Sequence, residues 1–295
     1  MRVLVTGTQG QVARALIERG AAEGVAIEAL GRPEYDLLQP ERLAEAIGAS
    51  SADVVVNAAA YTAVDKAEAE PEIAMAINGA AVGAIARAAA LRAAPVIQLS
   101  TDYVFDGTAP NPYREDDALA PINAYGRSKL AGELAVAEAN PAHVVLRTAW
   151  VYSPFGANFV KTMLRLGETR DTIRVVADQR GSPTSAFDIA DAILAIARRL
   201  VAAPGDADLH GVFHLVGSGE ATWAEFAGAI FAEAQRFGRS PVRVEPIATA
   251  EYPTPARRPL NSRLHTEKLQ AVYAVRPPHW RASLASCVER LMASG

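Results

Sequence analysis

The sequence has one cysteine, Cys287, in 295 residues, so no internal disulfide can staple the fold, and a reducing compartment fits. Its five histidines (His143, His210, His214, His265 and His279) include no i, i+4 pair on a helix, since His210 and His214 have that spacing but fall at a strand candidate, and no bound metal is expected. Lysine and arginine never bunch densely enough to neutralise several phosphates in a row. With a formal net charge of -4, this argues against a nucleic-acid surface. No uninterrupted apolar run of about 20 residues occurs, so no membrane span is expected. The Ala-rich stretch 80–94 is broken by Arg87 and Arg92 and reads as a packed helix. The first apolar run leads within a few residues into a glycine turn, which makes it a strand and not an export signal. These absences together place the chain in the cytoplasm.

What is present is ordinary globular composition: 50% hydrophobic and 21% charged residues. The length allows one large α/β domain and a smaller lobe. Apolar runs at 3–6, 26–30, 54–57, 96–100 and 144–148 alternate with helical patterns at 11–23, 41–47, 71–91 and 124–139. The runs are rich in Val, Ile and Leu without a period of two, the pattern of strands covered on both faces. The expected fold is α/β: a Rossmann-type, doubly wound parallel sheet over residues 1–150. Residues 151–295 form mainly a smaller α/β substrate lobe, with some segments returning to the first domain. Helices are expected there at 159–166, 187–202 and 223–237, and short strands at 173–176 and 212–215. Prolines crowd residues 240–278, which read as a loop-rich region over the carboxyl ends of the strands.

Two motifs carry chemistry. Thr6-Gly7-Thr8-Gln9-Gly10-Gln11-Val12-Ala13 follows the first strand and opens the first helix. Gly7 permits a tight turn, Gly10 lets backbone approach a pyrophosphate, and amides at Gln11 and Val12 face it. Ala13 holds the third glycine position. An acidic residue closing the second strand would bind a ribose 2′-hydroxyl, but the chain has Leu30-Gly31-Arg32, with Glu28 inside the strand. Arg32 facing a 2′-phosphate favours NADPH, with NADH tolerated; an ordinary solvated arginine is the other reading. The second motif is Tyr125-Gly126-Arg127-Ser128-Lys129, a Tyr-x-x-x-Lys pair on one helical face. A lysine ammonium one turn from a tyrosine brings it nearer to useful acid–base range and can also hold a nicotinamide ribose. The fourth strand ends in Ser100-Thr101-Asp102-Tyr103, placing the Thr101 hydroxyl where a substrate carbonyl oxygen would bind. After the third strand, Ala58, Ala59 and Ala60 leave room for a flat cofactor against the backbone.

Taken together, these motifs resemble the extended short-chain dehydrogenases. Longer segments resemble the dTDP-4-dehydrorhamnose reductases within them: residues 57–68, 146–152, Asn158-Phe159, 178–184 and 257–264. The resemblance implies reduction of a 4-keto-6-deoxysugar on dTDP, with Tyr125 as proton donor, Lys129 as its electrostatic partner and ribose ligand, and Thr101 at the 4-oxygen. It puts Asp36 and Leu37 near the adenine and Ser100 in the cofactor site. Val64, Asp102, Tyr103 and Trp150 are implied on the sugar and nucleotide side, with Asn158, Gln179 and Arg257 as further substrate contacts. Some members dimerise through a metal held between surface carboxylates, and one of those positions corresponds to Ala15; a monomer or weak homodimer is therefore expected. Two rivals share the fold. Nucleotide-sugar 4,6-dehydratases carry an acid directly after Thr-Asp, where this chain has Tyr103, and reductase-like regulatory subunits bind NADP without turnover.

Overall fold

The computed structural model describes residues 1–293. Strands β1 (Arg2–Thr6), β2 (Ala26–Leu30), β3 (Val54–Asn57), β4 (Val96–Thr101) and β5 (His143–Thr148) alternate with α1 (Gln11–Ala22), α2 (Pro40–Ala49), α3 (Val64–Ala67), α4 (Pro71–Met75), α5 (Ala81–Ala90) and α6 (Ala124–Ala139). The strands pair in parallel in the order Gly211–His214, β5, β4, β3, β1, β2. The chain builds outward to β2 on one side of β1 and to β3 and beyond on the other. The switch point between β1 and β3 therefore opens a crevice at the carboxyl ends.

Both faces of the sheet are covered, as the unalternating apolar runs require: Val3, Leu4, Val5, Val54, Val55 and Val56 are all 0% exposed. The helix Ala186–Ala202 joins α1 on one face, while α2, α5 and α6 cover the other. The helical stretch Pro71–Ala90 is long and apolar enough to cross a membrane by composition. Its α5 part is wedged between α2 and α6, where its alanines permit close approach. One π turn, Ala76–Ala80, interrupts it.

The proline-rich stretch 240–278 is loop-rich, as its composition suggests, with short elements set into it. Arg243–Ile247 pairs in parallel with Thr172–Val176, and Asn261–Ser262 pairs with Arg180–Gly181. Pro246 is tolerated because a two-stranded ladder leaves every strand with a free edge. The helix Glu267–Tyr273 also lies here, and its Leu269 and Tyr273 enter the main core. A second core forms around Tyr152, Phe226 and Trp280, under the helices Phe159–Leu166, Trp223–Gln235 and Trp280–Ala293. Cys287 is 4% exposed within it, a small apolar residue. Thr222 and Glu225 start Trp223–Gln235 with reciprocal capping bonds of 3.1 and 2.7 Å.

Candidate active site

A cleft of about 740 Å³ lies beyond the carboxyl ends of β1 to β4. Gly7, at φ +91°, turns the chain under Ala59, to which an added Cβ would come within 3.4 Å. Gly10 starts α1 with no side chain capping the helix, so the first-turn amides carry the helix's positive end unspent into the cleft. An added Cβ at Gly10 would meet only the Ala58 carbonyl, at 3.9 Å; the missing side chain leaves a cradle of the size and charge that a diphosphate fills. Gln9, Gln11 and Val12 line the same wall, and Arg32, Asp36 and Leu37 line the far end beyond β2. Ala58, Ala59, Ala60, Ser100, Tyr125 and Lys129 complete the floor and the near end. Arg32 is exposed at the rim, whereas Glu28 points outward from the edge strand, so no carboxylate closes β2.

Beneath the cleft runs a polar ladder that the sequence did not announce. The Thr6 hydroxyl donates to Asn57 Oδ1, Asn57 Nδ2 donates to Gln98 Oε1 at 2.7 Å, and Gln98 Nε2 donates to the Leu99 carbonyl at 2.7 Å. All three side chains are buried. Their mutual satisfaction removes the cost of burying polar groups and fixes three strand ends relative to one another.

The helix α6 is held at its first turn from three directions. Asn123 Oδ1 accepts from the Gly126 amide at 2.8 Å, Glu68 Oε1 accepts from the Ala124 amide at 2.7 Å, and the Ser128 hydroxyl accepts from Asn78 Nδ2 at 2.9 Å. Asn78 sits in the π turn and also bonds both the amide and the carbonyl of Tyr61, so the irregular turn ties the β3 loop to the Tyr–Lys helix. Gly126 is required by packing, because an added Cβ would lie 2.2 Å from the Tyr103 carbonyl oxygen. Tyr103 stands edge-on to Tyr125, with ring centroids 5.6 Å apart.

Burial dominates the electrostatics here. It pushes the Tyr125 phenol well above its usual value, followed by the nearby Asp102 charge, with the Thr101 hydrogen bond opposing. Burial pulls Lys129 down to about 8, with Glu133 opposing. Lys129 Nζ donates to the Leu99 carbonyl at 2.7 Å. With its phenol raised by burial, Tyr125 is a neutral, proton-bearing group, the form an acid needs. Asp102 is 3% exposed and raised to about 6, by burial first and against hydrogen bonds from Ser262 and Thr101. Thr101 Oγ1 donates to Asp102 Oδ1 at 3.1 Å, so Asp102 orients the hydroxyl from below.

The substrate-side residues scatter more widely. Val64 begins α3, and Asp65 beside it pairs with Arg258 at 2.8 Å. Arg257 is exposed and contributes its carbonyl to Asn123 Nδ2 at 2.9 Å. Arg258 is the arginine whose charge reaches Tyr103. Trp150, held at φ +51°, stacks on Trp223 at 3.6 Å, and Gly181 lacks a Cβ that would strike the Trp150 ring at 2.5 Å. Gln179 accepts from Trp223 Nε1 at 3.2 Å and donates to Thr249 at 3.0 Å. Asn158 caps Phe159–Leu166, and its amide donates to Gln11 Oε1 at 3.0 Å. Its position before an apolar helical run was a readable capping signal. Gln11 also accepts from Ser153 at 2.8 Å, so its side chain clasps the two halves of the chain while its backbone faces the cleft. Gly156 and Ala157, on the loop so tied, line the cleft and were missed. A second hollow of about 440 Å³ shares no residue with the cleft; its Arg180 and Arg263 lie 3.5 and 3.0 Å from Glu220.

The RmlD substrate binding domain family matches residues 1–293. The dTDP-4-dehydrorhamnose reductase of Sinorhizobium fredii is 53% identical over 295 residues, covering 100% of this chain and 99% of that one. The chain belongs to the dTDP-4-dehydrorhamnose reductase family. Among solved structures, the family member from Clostridium acetobutylicum is 36% identical with a TM-score of 0.90, covering 99% of each chain. The member from Bacillus anthracis, solved in complex with NADP, is 35% identical with a TM-score of 0.89, covering 100% of this chain and 99% of that one.

One expectation drawn from the dTDP-4-dehydrorhamnose reductase family needs correction. Ala15 is 0% exposed, facing the core beside Ala186–Ala202, so it is not a surface position. The carboxylate that α1 does expose, Glu18, lies 2.6 Å from Arg290. Ala13, also 0% exposed, meets the requirement for close helix–sheet packing at the third glycine position.

Proposed function

We propose that this chain reduces the 4-keto group of dTDP-4-dehydrorhamnose to dTDP-L-rhamnose with NADPH, NADH being tolerated. The observation that carries the reading is Tyr125 beside Thr101 and one helical turn from Lys129, at the inner end of a cleft whose glycine turn and unspent helix start fit a dinucleotide. The bound nicotinamide supplies a hydride to the sugar carbon. Gly7, Gly10, Gln11 and Val12 cradle the diphosphate, Arg32 takes the 2′-phosphate, and Asp36 and Leu37 border the adenine. Ala58, Ala59, Ala60 and Ser100 form the wall behind the ribose and nicotinamide. Thr101 binds the 4-oxygen, and Tyr125 delivers its proton there as negative charge develops. Lys129 holds the ribose and keeps positive potential behind Tyr125. Val64, Tyr103 and Trp150 border the sugar and base, and Gln179 steadies the aromatic pair. Asp102 acts beneath Thr101, Asn158 acts through Gln11, and Arg258 suits the diphosphate better than Arg257. The enzyme works in the cytoplasm as a monomer or weak homodimer.

Tyr103 weighs against the dehydratase reading, because an aromatic ring cannot remove a ring proton. The intact Thr101, Tyr125 and Lys129 weigh against a purely regulatory role. The test is incubation of purified protein with the dTDP-linked 4-keto-6-deoxysugar and NADPH or NADH, following nicotinamide absorbance and the sugar product. Loss of absorbance with formation of dTDP-L-rhamnose is expected; no turnover with either cofactor overturns the reading.

A further inference from the structure

One buried charged group has no part in the mechanism so far. Glu133 lies two turns along α6 from Tyr125 and one from Lys129, on the same face, and is 5% exposed. Arg147, 2% exposed on β5, grips it bidentately, with Nε 3.0 and 3.2 Å from the two oxygens and Nη2 at 2.7 Å from Oε2. The Ser100 hydroxyl donates to Glu133 Oε1 at 2.5 Å. Ser100 and Arg147 are directly paired across β4 and β5, so the strand register sets both donors. Arg147 is itself anchored, 3.2 Å from the Glu115 carbonyl and over the Phe105 ring.

We propose that Glu133 is a positioning residue for the Tyr125–Lys129 pair: locked by Arg147 and Ser100, its carboxylate is the fixed counter-charge that keeps the buried Lys129 ammonium protonated. A buried lysine without a counter-charge sheds its proton. Other charged or titratable groups face this end of α6: Asp102 and Tyr103 after β4, Arg147 on β5, Glu68 after α3, and Tyr125 on α6 itself. Glu133 is the one whose charge acts on Lys129 against burial. The lock matters because a free glutamate would rotate toward water and leave the ammonium unsupported.

The inference rests on the reading of Tyr125 and Lys129 as the catalytic pair, so its test includes a measurement independent of turnover. The chain has four lysines. Protein labelled at lysine Cε therefore gives a simple spectrum in which Lys129 is identified by its loss in Lys129→Arg. In Glu133→Gln, the titration midpoint of Lys129 in cofactor-free protein is expected to fall by about one unit or more. The alkaline limb of kcat should move down with it, with near-normal turnover at mildly acidic pH. Loss of a merely structural contact would lower activity evenly across pH. Glu133→Gln leaves Arg147 buried without its partner and is at risk of misfolding, so the double variant Glu133→Gln/Arg147→Met removes both charges together; it should show a smaller downward shift, because the lost Arg147 charge had itself opposed the ammonium. An unchanged Lys129 midpoint in whichever variant folds overturns the proposal. Near-normal turnover in Tyr125→Phe would instead sink the catalytic reading, and the Lys129 titration would still judge the role of Glu133.

Discussion

The floor and the roof of the cleft are built by different means. The floor comes from the ends of β1, β3 and β4 and the first turns of α6, placed by parallel pairing and cross-linked by Thr6, Asn57 and Gln98. The roof comes from Val151, Gly156 and Ala157, and it and the neighbouring stretches 178–184 and 249–263 are stapled down by single side chains reaching across the chain. Asn158 reaches Gln11, 147 residues away; Arg258 reaches Asp65, 193 residues away; Asn261 reaches the carbonyls of Ala109 and Asn111 at 2.9 and 2.7 Å. Backbone topology leaves a strand-end residue little choice of where to point. A staple is a selection among near neighbours, and a change of one residue alters it. The floor should therefore respond to substitution through chemistry, and the roof through substrate affinity.

The largest effect expected is on the floor. Tyr125→Phe keeps the ring against Tyr103 and removes the proton source, so turnover should fall by about 10²–10⁴-fold while NADPH affinity stays nearly unchanged. Normal turnover would show that another group delivers the proton. Thr101→Val should cost less, because it removes a hydrogen bond and not the proton.

The roof is tested by a matched pair of arginines. Arg258→Ala frees Asp65 and loosens residues 254–258, and should raise KM for the sugar nucleotide on the order of tenfold with kcat largely kept, as loss of a charged hydrogen bond does. Arg257→Ala should leave steady-state kinetics near normal. The reverse ranking would mean that the exposed arginine turns inward on the ligand. At the far end of the floor, Arg32→Ala should weaken NADPH several-fold and NADH hardly at all, roughly the worth of one exposed charge contact. Equal losses, read by titrating both cofactors, would remove Arg32 from the 2′-phosphate.

The smallest effect lies outside the cleft and separates stability from chemistry. His214 is 0% exposed, and burial, then the Arg147 charge, pull it down to about 3 against backbone groups of His265 and Tyr113. An unfolded histidine titrates near 6.5, so the folded state refuses a proton that the unfolded state accepts. The neutral ring carries no pH-dependent cost above that pH, and stability drains away as pH falls from there towards 3. His214→Leu should therefore gain in melting temperature relative to the parent as the buffer is taken from pH 8 to pH 5, by a few degrees. A gap that stays constant with pH would show that His214 titrates normally.

The residues assigned to the cofactor from sequence all line the cleft, because a glycine turn after a strand and small residues at a strand end declare their geometry locally. Gly126 was legible only as part of a motif; the carbonyl of Tyr103 that excludes any side chain there comes from another element. The π turn at Asn78 could not be read, since a five-residue irregularity leaves the apolar pattern of Pro71–Ala90 intact. Residues 240–278 are loop-rich as read, but the strand Arg243–Ile247 went unread because propensity does not register that a two-stranded ladder has free edges.

By itself the sequence determined the parallel sheet, the dinucleotide turn and the Tyr–Lys face, since each follows from periodicity and from conformations that only particular residues adopt. The tertiary structure alone decided which carboxylate sits under Thr101, that Asn158 clasps Gln11, and that Arg258 and not Arg257 meets Asp65. It also decided that the Tyr125 phenol is raised and not lowered, because the shift follows from how much water and charge the assembled fold leaves around a group, and no local pattern encodes that.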